Sequence, residues 1–104
     1  MEKLIRDGKV GILFSPGYGA GWYTWNNVEY GEELVFDPML VNLVEQEKFD
    51  EAHNYIALRF PEAYIGGVSD LQVRWVDVGT EFRITEYDGN ESVEFKENNA
   101  WLVA

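Results

Sequence analysis

The sequence predicts an α+β fold: one small domain over residues 1–104, with an N-terminal aromatic β-hairpin, two short helices and a C-terminal antiparallel β-meander. Three observations carry this reading. Lys9-Val10-Gly11-Ile12-Leu13-Phe14 is a short, nearly continuous apolar run bounded by Asp7-Gly8 and Pro16-Gly17, which suits a buried strand better than a helix. Asp37-Pro38 opens a segment whose apolar residues fall at helical spacing. From Leu71 to Phe95 apolar and polar residues alternate with a period of two.

Taken in order, Trp22 to Trp25 reads as the strand returning from residues 9–14, because aromatic residues suit a pleated surface. Residues 15–21 are then the connection, Asn26 to Gly31 a turn, and Glu33 to Phe36 a short further strand. Asp37 supplies an N-cap oxygen, and Pro38 at the first helical position loses no hydrogen bond. Leu40, Val41, Leu43 and Val44 give the first helix, about 38–46, its apolar stripe. Phe49, Ala52, Ile56 and Phe60 do the same for the second, about 50–60, which Pro61 ends.

In the C-terminal third, Asp88-Gly89 is a strong two-residue hairpin signal. It sets Tyr87 opposite Asn90, Ile84 opposite Val93 and Phe82 opposite Phe95, with Arg83 facing Glu94 on the other side. Continuing the meander places Trp75 opposite Phe82 and Arg74 opposite Arg83, a like-charge pair that nearby carboxylates or a bound anion would have to offset. Trp101-Leu102-Val103 reads as a closing strand.

Hydrophobic residues make up 46% of the 104, enough to enclose a core. The formal net charge is −11, from 19 acids against 8 bases, and such a surface repels nucleic acid. It suits solubility, or a basic protein partner toward which the chain would act as a nucleic-acid mimic. Cysteine is absent, which excludes disulfides and thiolate metal sites and fits a reducing cytosol. No stretch has signal-peptide or membrane-spanning length, so the expected location is cytoplasmic, with no membrane partner.

Catalytic chemistry finds little to work with. His53 is the one histidine, so nucleophile–base pairs and histidine metal sites lack members, and no catalytic residue, metal or cofactor is assigned. Carboxylates are plentiful, and a hydrolase built on two converging acids stays open as a third reading.

The most distinctive stretch is Ser15-Pro16-Gly17-Tyr18-Gly19-Ala20-Gly21-Trp22-Tyr23-Thr24-Trp25. Its glycine spacing is not that of a dinucleotide loop, and the residues after it do not read as a helix. No Lys or Arg lies between Lys9 and Lys48, so a phosphate there would need backbone N–H groups or distant arginines such as Arg74 and Arg83. Either the glycines let aromatic rings pack against the main chain, or Tyr18, Trp22 and Tyr23 offer flat faces to a planar group. The candidate ligand-binding residues are Ser15, Gly17, Tyr18, Gly19, Gly21, Trp22, Tyr23, Arg74 and Arg83. The leading functional expectation is a non-catalytic binding protein for a planar, anionic small molecule such as a nucleotide, held at the loop in a homo-oligomer. The alternative is an acidic protein–protein inhibitor of a basic partner.

The opening from Ile5 to Asn26, including Val10-Gly11-Ile12-Leu13-Phe14-Ser15-Pro16-Gly17-Tyr18-Gly19-Ala20-Gly21-Trp22-Tyr23-Thr24-Trp25, resembles a family of small uncharacterised bacterial and phage proteins. The likeness extends through the Asp37-Pro38 helix and the Tyr87-Asp88-Gly89 hairpin. It implies a small stand-alone protein of phage or bacterial origin and carries over no activity or catalytic residue; a phage protein that sequesters a nucleotide signal of host defence would fit the leading functional expectation.

Overall fold

A computed structural model describes residues 2–95. It is α+β, with four helices and five antiparallel strands among the described residues. β1 (Ile5–Arg6) and β2 (Lys9–Phe14) form an N-terminal hairpin, and β3 (Gln72–Asp77) joins them in a sheet of order β1-β2-β3. β4 (Phe82–Tyr87) and β5 (Asn90–Phe95) form a second sheet of two strands. Between β2 and β3 the chain makes four helices: α1 (Tyr23–Tyr30), α2 (Glu33–Phe36), α3 (Pro38–Glu45) and α4 (Phe49–Arg59).

The three-stranded sheet is the middle layer. Leu13 of β2 faces a cluster with Leu40, Val41 and Val44 of α3, Ala52 and Ile56 of α4, and Trp22. Val10 and Ile12 of the same strand, with Val76, face Val35 and Phe36 of α2, and Phe82, Ile84, Val93 and Phe95 pack over them. β2 is therefore covered on both faces, which explains its nearly unbroken apolar run.

Both tight hairpins follow from one dipeptide. Asp7-Gly8 and Asp88-Gly89 have positive φ at both central positions (49° and 76°, 51° and 84°), the turn whose twist matches flanking strands. The second hairpin has the register read from sequence: Tyr87↔Asn90, Ile84↔Val93 and Phe82↔Phe95, with Arg83 paired to Glu94 at 2.8 Å. α3 starts as expected, its Leu40 N–H donating to the Asp37 carboxylate at 2.9 Å. α4 ends at Arg59, before the residue that precedes Pro61.

Several elements differ from the sequence reading. Trp22 to Trp25 is not a returning strand; α1 runs through it and through the expected turn at 26–31. Local β preference loses here to tertiary contacts: the Trp22 indole, fully buried, donates to the Leu34 carbonyl at 2.8 Å and meets Phe60 edge-on at 6.1 Å. Glu33–Phe36 is one helical turn rather than a strand, continuous with the Asp37 cap of α3. β3 pairs with β2 over Lys9↔Asp77 to Phe14↔Gln72 instead of with β4. Trp75 accordingly sits opposite Gly11 and Arg74 opposite Ile12, and the expected Trp75–Phe82 and Arg74–Arg83 pairs do not form. A period of two specifies which face of a strand is buried but not which strand lies beside it. The expected closing strand at 101–103 lies outside the described residues.

Candidate binding surface

The glycine loop is organised by one carboxylate. Glu91, at the start of β5, is 1% exposed. Its Oε1 accepts the Ser15 N–H at 2.9 Å, and its Oε2 accepts the N–H groups of Trp22 and Thr24 at 2.9 Å each and the Thr24 hydroxyl at 2.7 Å. The Glu91 N–H donates back to the Ser15 carbonyl at 3.0 Å. Trp22 and Thr24 lie at the first turn of α1, where N–H groups lack partners within the helix, and Trp22 as N-cap has no side chain that could satisfy them. A negative charge is favoured there by the helix dipole, and hydrogen bonds to a charged acceptor are worth about 1.5–3 kcal/mol each.

The rest of the loop is tied to the same hairpin. Gly17 N–H donates to the Asn90 side-chain oxygen at 2.8 Å, and Gly19 N–H to the Asp88 carbonyl at 2.6 Å. The buried Ser15 hydroxyl donates to the Gly67 carbonyl at 2.7 Å. The N–H groups of Ser15, Gly17, Gly19, Ala20 and Trp22 are thus taken by the protein's own acceptors.

What the loop presents outward is aromatic. Tyr18 and Tyr87 are 72% and 76% exposed, and their rings meet edge-on at 6.3 Å. Trp25 and Tyr64, 42% and 43% exposed, lie tilted with ring centres 5.0 Å apart. The Tyr64 hydroxyl donates to the Gly19 carbonyl at 2.7 Å, which links the two pairs through the loop. Two glycines make this packing possible. A Cβ on Gly21 would collide with the Trp25 indole, and one on Gly89 would come within 2.8 Å of that indole and 3.0 Å of the Gly19 nitrogen. The face is rimmed by exposed carboxylates: Asp88 at the hairpin tip and Asp70, whose oxygen lies against Gly17. The cation–π contacts among the described residues fall on Phe14, Phe36, Phe60, Trp75 and Phe95, none on these four rings.

The residues singled out from sequence separate into three groups. Ser15, Gly17, Gly19 and Gly21 form the loop, and Tyr18 stands on its outer face. Trp22 belongs to the core. Tyr23 and Arg83 line a different groove, about 700 Å³, with Phe36 and Phe82, where Arg83 is engaged by Glu94. Arg74, on the other sheet, lies 5.9 Å from the Phe14 ring and 5.6 Å from that of Phe95.

Glu91, Asn90, Trp25, Tyr64 and Tyr87 were not singled out. A signal for Glu91 existed: it shares the inward face of β5 with Val93, so an acid stands where alternation calls for an apolar residue. Among the described residues no group of three or more His, Cys, Asp or Glu could hold a metal ion, and no helix is long and apolar enough to cross a membrane. Comparison with protein-family models, with curated proteins and with solved structures finds no match for this chain.

Proposed function

We propose that this chain is a non-catalytic binding protein that engages a basic protein surface through the face formed by Tyr18, Tyr87, Trp25 and Tyr64. The observation that carries this reading is the exposure of four large aromatic side chains on a hydrogen-bonded scaffold. Exposed aromatic patches mark interaction sites, and Tyr and Trp are enriched among residues that dominate binding energy. The net charge of −11 and the carboxylates of Asp70 and Asp88 favour a cationic partner by complementarity. Glu91, the one acid of the loop region that is fully buried, spends its oxygens on four donors and serves structure rather than proton transfer. The resemblance of the opening to small phage and bacterial proteins fits a cytoplasmic role in which a host protein is blocked.

A planar ligand such as a nucleotide is the second reading, favoured by the flat faces of Tyr18 and Tyr87 alone. It lacks a nearby cation, and the N–H groups of Ser15, Gly17, Gly19, Ala20 and Trp22 already have acceptors within the protein. Titration with an arginine-rich peptide at low salt, followed by backbone amide shifts, tests the first reading. Shifts centred on residues 17–25, 64 and 87–89 are expected, weakened about tenfold or more by Tyr18→Ala with Tyr87→Ala. Absence of those shifts, together with thermal stabilisation by mono-, di- or cyclic nucleotides, would replace it by the second.

A further inference from the structure

A cleft of about 390 Å³ opens beside the C-terminal end of α3. Val44 and Leu71, both buried, form its floor, and the half-buried side chains of Phe49, Val73 and Trp75 form its walls. Two exposed acids, Glu45 and Glu47, stand at the rim, and among the described residues no Lys or Arg lines it. Glu45 is held by Arg6, whose guanidinium also lies 4.9 Å from the centre of the Trp75 ring. The Glu47 carboxylate has neither an ion pair nor a hydrogen bond among the described residues. Its backbone closes α3 at a φ of 58°, the left-handed conformation in which glycine is the usual residue. The Glu47 N–H donates to the Val44 carbonyl and the Lys48 N–H to the Leu43 carbonyl, each at 2.9 Å. This end of a helix carries partial negative charge, and α3 has no basic residue in its last turn to offset it. Lys48 pairs instead with Glu51 at 3.9 Å. Position 47 thus departs from the stabilising choice in both conformation and charge, at the mouth of an apolar cleft.

We propose that this cleft binds a small amphipathic amine: a monocation with a short alkyl or arylalkyl body. Its apolar body would lie against Val44, Phe49, Val73 and Trp75, and its ammonium group would stay at the rim beside Glu47 and the negative end of α3. One unpaired carboxylate calls for one positive charge. The Arg6 guanidinium shows the same chemistry next door, since an indole and a carboxylate already hold a cation there. An anion would meet Glu47 and the helix end as like charges, and a neutral apolar molecule would leave the carboxylate unused. A lysine presented by a partner would enter ammonium first and carry its charge onto the apolar floor, which is unfavourable.

The experiment titrates isotope-labelled full-length protein with hexylamine, using methylamine, hexanol and hexanoate as controls. Hexylamine should shift the amides of residues 45–49 and 73 and the Trp75 indole signal. Affinity should rise with chain length, by up to about fourfold per methylene. Hexanol should bind up to about fivefold more weakly, and hexanoate should cause no shift. Glu47→Gln, which keeps the shape of the side chain, should weaken hexylamine by the same factor of up to about five. Glu47→Gly should lose affinity likewise while raising the urea midpoint, because it relieves the left-handed strain. The proposal is overturned by no shift at millimolar hexylamine, by equal binding of hexanol or methylamine, or by wild-type affinity in both Glu47 variants. Tighter binding of Nα-acetyl-lysine amide than of hexylamine would overturn it in favour of a partner's lysine. Tyr18→Ala with Tyr87→Ala should leave hexylamine binding unchanged, since the aromatic face is a separate site.

Discussion

The Glu91 carboxylate accepts the Trp22 backbone N–H at 2.9 Å across 69 residues of sequence. One side chain from the last described hairpin thereby caps the first helix and sets the shape of the glycine loop. Removing it orphans the N–H groups of Ser15, Trp22 and Thr24 together. Glu91→Ala should cost about 3 kcal/mol or more, since each buried donor left unsatisfied costs about 1–3 kcal/mol. Glu91→Gln should also destabilise, because its amide group turns a donor toward donors. Urea unfolding of both variants measures this; a loss below about 1 kcal/mol for either would show that the loop has other support.

Gly8 and Gly89 form a controlled pair. Both have positive φ, at 76° and 84°, but a Cβ on Gly8 meets nothing within 4 Å, whereas one on Gly89 meets Trp25 and the Gly19 and Ala20 amides. Gly8→Ala should therefore cost only the left-handed penalty, about 1–2 kcal/mol. Gly89→Ala should cost clearly more and shift the Trp25 fluorescence. Equal losses in thermal or urea melts would contradict this placement of the indole.

Trp22→Ala should remove most of the stability of this chain. Large-to-small changes at buried aromatic sites cost about 3–5 kcal/mol, and here the Leu34 carbonyl also loses its indole donor. Trp22→Phe keeps part of the volume and should recover part of the loss. Chemical denaturation ranks the three proteins.

Tyr55 supplies a pH dependence. Burial, and then its 2.7 Å hydrogen bond to the Asp37 carboxylate, push its hydroxyl up from 10.0 to about 12, with Arg59 acting weakly in the opposite sense. A raised folded pKa means that the folded state holds its proton longer than the unfolded one. The resulting stabilisation is fully present below pH 10.0 and is lost as pH rises toward 12. The stability difference between wild type and Tyr55→Phe should stay constant up to the lower value and shrink above it. Urea melts across that window, with tyrosinate absorbance recorded alongside, provide the check.

Local signals were legible in this sequence and distant ones were not. The Asp88-Gly89 hairpin could be read to its residue pairs because the turn geometry and both strands lie within fourteen residues. The same dipeptide at Asp7-Gly8 reads from sequence only as a boundary of residues 9–14, because the first strand of the hairpin it closes is too short to show alternation. α3 and α4 followed from an Asp-Pro cap, apolar spacing and a terminating proline, all carried by the segments themselves. The glycine-aromatic stretch stood out from composition, but its conformation did not. α1 is capped by a carboxylate that only folding brings to it, so residues with β preference end in a helix. The partner of β3 was undetermined for a related reason, since alternation encodes a face and the neighbour depends on where the intervening helices leave the chain. The α+β class, the Asp88-Gly89 turn and the two helices that begin and end on their own residues follow from local sequence. Tertiary structure alone decided that Trp22 is core, that Glu91 occupies the loop's anion-binding groups, and that Tyr18, Trp25, Tyr64 and Tyr87 share one face. Each of these depends on free energy gained between segments far apart in the chain, which no local pattern records.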